Sequence, residues 1–195
     1  MRPLQSIFLV ILVSLIAFST VSAAPVLFNG HYYELVSYPR INWYEARDYA
    51  AGSTYNGMQG HLVTITSQAE EDFLINTFPE IGGQETWIWL GGSDESSEGV
   101  WSWITGEPWS YTNWDVANNE PNGEGDENCL EYTDGTAKWN DENCKSSRDY
   151  FLVEYEPETA GTTVPTLSEW GMIIFFTAAG FVAVYYLRRR GMTLI

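Results

Sequence analysis

The chain has 195 residues and a net charge of −17, from nine basic and 26 acidic side chains. Four of the nine cations, Arg2, Arg188, Arg189 and Arg190, lie at the two ends, so residues 24–158 carry 25 acids against five bases. Such an acidic surface argues against nucleic acid and anionic lipid as partners and favours cations and neutral ligands.

The first 23 residues combine a basic start at Arg2, an apolar run from Ile7 to Phe18 and a small-residue exit, VSAAP. That order predicts a secretory signal peptide over 1–23, with cleavage after Ala23 or Ala24, and so an exported protein in which disulfides can form. Residues 25–157 have the size of one domain and can build a core. Val26–Phe28 and His31–Leu35 read as short strands around the turn at Asn29–Gly30. Asn42 caps a helix, NWYEARDYAAG, with Trp43, Ala46, Arg47 and Ala50 on one face and a stop at Gly52. STYNGMQG reads as a loop and His61–Thr66 as a strand. Ser67 caps a second helix, with Glu70 completing a capping box, and Phe73, Leu74 and Phe78 form its apolar side. His31 and His61, at strand starts, read as structural.

Trp87–Leu90 is a short buried strand, after which periodicity fades as far as Pro121; a loop region this long in a compact domain usually carries function. Seven of the nine tryptophans lie between Trp87 and Trp139. Core packing accounts for most of them, and stacking on sugars is the functional alternative. Cys129–Thr133 and Lys138–Trp139 are strands around Asp134–Gly135, and Tyr150–Tyr155 is a last strand placed to pair near the first. Two early helices with several short antiparallel strands give an α+β class.

The chemistry concentrates in residues 118–144, NNEPNGEGDENCLEYTDGTAKWNDENC. Carboxylates at this density repel one another unless a counter-ion holds them. Hard oxygen donors in a Gly- and Asn-rich loop suit Ca²⁺, which takes about six to eight oxygens in loose geometry. Zinc is a poor fit to this stretch, because both histidines are distant in sequence and the cysteines have another use. Cys129 and Cys144, 15 residues apart, can form a disulfide worth about 3 kcal/mol on the chain-entropy account. A redox dithiol is the weaker alternative, since no CxxC is present.

Past the body, 158–168 form a linker. Within 169–195 an apolar run from Met172 to Leu187 precedes RRRGMTLI. The run is at the short end for a transmembrane helix, and the arginines would keep its C-terminus on the cytoplasmic side.

The order NGHYYEL (29–35), WYEARDYA (43–50), GHLVTITSQAEEDF (60–73), WIWLGG (87–92), EPN (120–122), ENC (127–129) and WNDENC (139–144) resembles the C-type lectin-like domain. The resemblance implies two helices flanking short antiparallel sheets and a long calcium-binding loop region, with no enzymatic activity. It implies a principal calcium held by Glu120, Asn122, Glu127, Asn140 and Asp141, the same residues contacting sugar, with a cis bond before Pro121. The EPN order goes with family members that choose vicinal equatorial hydroxyls, as in mannose, glucose or N-acetylglucosamine. An auxiliary calcium site would use Asp94 and Glu98 with Glu127, and Asp126 nearby; Gly123 and Asn128 depart from the family's aspartates there. Ala50 and Val153 stand where the family often has a long-range disulfide. VPTLSEWG, an apolar run and RRR resemble the IPTL-type C-terminal sorting signal of Gram-negative bacteria. That implies an envelope processing protease as a partner and membrane attachment through the C-terminal helix before processing. The function implied is calcium-dependent glycan binding at a bacterial cell envelope or surface. The alternative is a protein-binding or structural adhesion domain in which calcium only stiffens the loops.

Overall fold

The computed structural model describes residues 23–123 and 125–157. The chain divides into two units at the 157/158 boundary, and every described residue belongs to the first. The apolar part of the predicted signal peptide, the linker and the C-terminal apolar run lie outside the described residues. Among the described residues, no helix is long and apolar enough to cross a membrane.

The elements run β1 (Val26–Phe28), β2 (His31–Ile41), α1 (Trp43–Gly52), β3 (Thr54–Tyr55), β4 (Met58–Leu62), α2 (Gln68–Thr77), β5 (Ile88–Ser93), β6 (Ser102–Trp103), β7 (Cys129–Tyr132), β8 (Trp139–Glu142) and β9 (Arg148–Glu156). The main sheet has the order β1-β2-β9-β5-β7-β8, with β4 also on β9, β3 on β4 and β6 on β5. β9 is its centre. It pairs antiparallel with β2 from Tyr32↔Tyr155 to Ile41↔Arg148, and with β4 from Gln59↔Glu156 to Leu62↔Val153. The last strand thus closes on the first long one, and the α+β architecture with two helices matches the expectation.

Several local expectations change. STYNGMQG is not a loop but most of a hairpin, β3–β4, turning at Asn56 and Gly57, both at positive φ. An Asn-Gly pair in the left-handed region matches the right-handed twist of the strands it joins. The strand expected over His61–Thr66 lies earlier, at Met58–Leu62. The full capping box forms on α1, where Asn42 accepts from Glu45 N and Glu45 reaches back to Asn42 N. On α2 only half of it forms. Ser67 accepts from Glu70 N, but the Glu70 carboxylate accepts from Thr66 N (2.9 Å) and Tyr33 Oη (2.7 Å). Arg47 does not join the buried face of α1; its guanidinium lies 5.6 Å over each of the Trp43 and Tyr44 rings.

Two apolar cores flank the sheet. One, under α1, contains Trp43, Ala46, Ala50, Trp89, Phe151 and Val153. Ala50 and Val153 are both fully buried, so apolar packing occupies the place of the family's additional cross-link. The other core joins Leu74 and Ile81 to the long loop through tryptophans. Trp103 and Trp109 centroids are 4.4 Å apart, Trp101 and Trp114 4.9 Å, and Trp139 meets Trp103, Trp109, Tyr111 and Trp114 at 5.7–5.9 Å. These rings are the loop's own core, which is why a segment with little regular structure holds a shape. Glu71, fully buried on α2, adds a polar tie by accepting from Tyr132 Oη and Asn113 Nδ2, each at 2.8 Å.

Candidate functional site

The segment before EPN is laid on the start of β8. Trp139 N donates to Asn113 O and Asp115 N donates to Trp139 O, both at 2.9 Å. Asp115, buried, then turns the chain, its carbonyl accepting from Glu120 N (3.1 Å) and its carboxylate from Asn118 Nδ2 (2.8 Å). Asn119 takes the left-handed conformation with φ 67°, and the Glu120–Pro121 bond is cis. On the far side of the proline, Asp141 Oδ1 accepts from Asn122 N (3.0 Å) and Oδ2 from Gly123 N (2.8 Å). The EPN segment is therefore stitched at both ends to residues 139–141, although 19 residues separate Asn122 from Asp141.

This stitching gathers acids. Glu120 has a buried Oε2 without a hydrogen-bond partner. Burial first, then Asp141 and Glu127, push its carboxyl up to about 7. The Glu127 carboxyl is likewise raised, by burial and then by Glu142, Asp141 and Asp126. Gly123 has a specific reason to lack a side chain: a Cβ there would collide with Cβ, Cγ and Oε2 of Glu127. The Glu127 side chain thus fills the space that the family's aspartate after EPN would need. Of the five expected ligands, the structure brings Glu120, Glu127 and Asp141 into one electrostatic cluster. Asn122 joins it through its backbone, with its side chain at the surface.

Asn140 is held from beneath. It lies opposite Glu131 in the β7–β8 ladder, and its Nδ2 donates to Glu131 Oε1 at 3.2 Å. Glu131, fully buried, is gripped by Arg148 through Nε (2.6 Å) and Nη2 (3.1 Å). Arg148 Nη2 also reaches Glu142 at 2.5 Å, and the guanidinium lies 5.3–5.4 Å from the Trp87 and Trp89 rings. The sequence places Glu131 among the crowded carboxylates of 118–144 but does not show its buried pairing with Arg148. The available signal for that pairing was an acid inside the apolar strand CLEY, which needs a cationic partner. The Cys129–Cys144 disulfide forms as expected, with Cα atoms 5.1 Å apart, and it ties β7 to the chain just beyond β8.

The donor set suits a hard divalent cation. Carboxylates that raise one another's pKa, one with an unpartnered buried oxygen, are relieved by a bound Ca²⁺. The expected auxiliary positions also approach each other. Asp94 is buried with Oδ2 accepting from Gly99 N (2.8 Å) and Oδ1 unpartnered, and its N donates to Asn128 O at 3.3 Å. The buried Asn128 Oδ1 is unpartnered too, and a Cβ built on Gly125 would stand 3.8 Å from Glu98 Oε2. Asp126 is exposed on the same loop.

Comparison with known proteins places this geometry. The Lectin C-type domain family profile matches residues 40–151. Halomucin of Haloquadratum walsbyi is 31% identical over 195 aligned residues, covering 85% of this chain but 2% of that protein. C-type lectin lectoxin-Lio2 of Erythrolamprus poecilogyrus is 36% identical over 111 residues, covering 53% of this chain and 63% of its own length. The chain therefore spans less than two thirds of either relative. Among solved structures, the cow CD23 carbohydrate-recognition domain, determined in the presence of GlcNAc2Man3 oligosaccharide, superposes with a TM-score of 0.57 at 28% identity, covering 69% of this chain and 94% of that one. The lectin domain of murine dendritic cell inhibitory receptor 2, in complex with N-glycan, gives 0.57 at 26%, covering 68% and 96%. This chain belongs to the C-type lectin domain family.

Proposed function

We propose that this protein binds carbohydrate through a calcium ion held by Glu120, Asn122, Glu127, Asn140 and Asp141, at a bacterial cell envelope. The observation that carries the reading is the convergence of Glu120, Glu127 and Asp141 around an EPN segment whose backbone Asp141 fastens. When bound, Ca²⁺ supplies open coordination positions for two vicinal hydroxyls of a sugar ring. The protein's own part is directional. The Glu120 carboxylate accepts from a hydroxyl and the Asn122 amide donates to one, which favours equatorial pairs of the mannose, glucose or N-acetylglucosamine type. Asp141 keeps that pair in register, and the tryptophan core keeps the loop from collapsing. Asp94, Glu98, Glu127 and Asp126 are the proposed auxiliary calcium residues. A single shallow site binds weakly, so useful retention requires many copies on one surface. Export through residues 1–23 and processing at the sorting signal by an envelope protease would supply that display.

The test is a glycan array with and without calcium, on the wild type and on Asn122→Asp. The expected result is calcium-dependent retention of mannose-type glycans by the wild type. Asn122→Asp should lose at least tenfold in sugar affinity while keeping calcium affinity within a fewfold. Equal loss of both, or no loss, would reject direct coordination of sugar and leave calcium as a loop stiffener. A second expected outcome concerns stability. Removing calcium with EDTA should lower the melting temperature, because an ion present at a hundredfold over Kd stabilises the fold by about 2.7 kcal/mol. Superimposable melting curves would mean that no ion binds.

A further inference from the structure

The fold cancels the sequence distance between the two histidines. β9 carries Glu154 and Glu156 on the same face, two residues apart. β2 lies along one side of it and β4 along the other. Continuing the β2 register past Tyr32↔Tyr155 sets His31 beside Glu156, while on β4 His61 pairs with Glu154. His31 Nδ1 donates to Glu154 Oε1 at 2.6 Å, across 123 residues of sequence, which leaves Nε2 as the ring nitrogen that can ligate an ion. Donor atoms of His31, Glu154 and Glu156 all lie within 4.8 Å of one another.

His61 adds an independent observation. Its Nδ1 lies 2.9 Å from Leu62 O, and a carbonyl can only accept, so Nδ1 carries the proton. In the neutral ring Nε2 is then the bare lone pair. That atom is buried, makes no hydrogen bond, and sits 3.4 Å from Glu156 Oε1. A lone pair facing a carboxylate is repulsive, and a cation between them, a proton or a metal ion, removes the repulsion. A ring whose second nitrogen donates to a backbone carbonyl is also the usual outer-shell arrangement of a metal-binding histidine. Glu154 is prepared in the same way. It is 2% exposed, and its Oε2 accepts from Thr64 N (3.0 Å).

We propose that His31, Glu154 and Glu156 form a zinc site, completed by a small approach of the His61 ring from beside Glu156, that clamps β2 and β4 to the C-terminal end of β9. Two imidazoles and two carboxylates are a nitrogen–oxygen set of four, which suits Zn²⁺ better than Ca²⁺. The site shares no residue with the proposed sugar site and does not depend on it. A cavity of about 70 Å³ adjoins it, lined by Thr64, Thr66, Glu70 and Glu107 as well as His31 and Glu154. That oxygen-rich cavity is where calcium would compete.

The experiment uses the full chain, stripped with EDTA, dialysed and titrated with ZnCl₂ by calorimetry, then repeated in millimolar CaCl₂. The expected result is one zinc bound per chain, not displaced by calcium, with X-ray absorption showing nitrogen and oxygen neighbours only. His31→Ala and, separately, the milder His61→Gln should each weaken zinc binding at least tenfold. Both should leave calcium-dependent glycan retention unchanged, which also shows that the variants fold. Absence of zinc binding, zinc binding insensitive to both substitutions, or displacement of zinc by calcium would each overturn the proposal.

Discussion

Calcium affinity is expected to fall about tenfold for each pH unit below 7 and to level off above pH 8. In the metal-free fold, burial and the neighbouring Asp141 and Glu127 carboxylates raise the Glu120 carboxyl to about 7. Calcium needs the ionised form, so at lower pH the ion must first displace a proton, and one proton costs one decade of apparent affinity per unit. The stability of the metal-free protein carries the complementary sign. A carboxyl raised in the fold binds its proton more tightly in the native than in the unfolded state. Metal-free stability from this group is therefore full at acid pH and declines as pH climbs from the ordinary carboxylate range to 7. The buried Glu71 carboxyl, raised to about 7 mainly by burial, acts in the same direction. Glu120→Gln separates the contributions: it should flatten only part of the metal-free decline and remove the gain that calcium confers at pH 8. Calorimetric calcium titrations at pH 5, 6, 7 and 8, at constant ionic strength, read the first effect. A flat affinity from pH 8 to pH 5 would show that Glu120 carries no such proton.

Arg148→Met is expected to destabilise the domain by about 3–5 kcal/mol, because it strands a buried carboxylate. Glu131 is fully buried, and Arg148 is its cationic partner, bonded through two nitrogens. The guanidinium also loses its places against the Trp87 and Trp89 rings. The consequence reaches the site, since Glu131 is what Asn140 Nδ2 donates to. Calcium affinity should therefore drop together with stability. The double variant Arg148→Met/Glu131→Leu should recover most of the lost stability, because no charge is left unpaired, but not the calcium affinity, because Asn140 loses its support. Urea unfolding of the three proteins measures the first claim and calcium titration the second. A single variant within 1 kcal/mol of wild type would mean that Glu131 is neutral or finds another partner.

Local sequence determined much of this protein. Asn42 and Ser67 start the two helices because their side chains accept from the third helical N–H whatever surrounds them. The disulfide joins the two cysteines of the sequence, 15 residues apart. The acidic crowd between 118 and 144 is legible as a candidate cation site before any coordinate is known, because repulsion among near neighbours is a short-range property. Tertiary structure decided the rest. Glu70 sits where a capping box wants it, yet its carboxylate turns to Thr66 N, one residue before the cap, because the buried Tyr33 hydroxyl draws the side chain inward. The tryptophans became a loop core rather than a stacking surface because they could bury one another. Glu131 with Arg148, Glu71 with Tyr132, and His31 with Glu154 are pairs across 17, 61 and 123 residues. No periodicity encodes such partnerships. Glu131–Arg148 and His31–Glu154 exist because β9 runs through the centre of the sheet, and Glu71–Tyr132 because α2 meets β7; in the low dielectric of the interior each buried polar group has to find its counterpart.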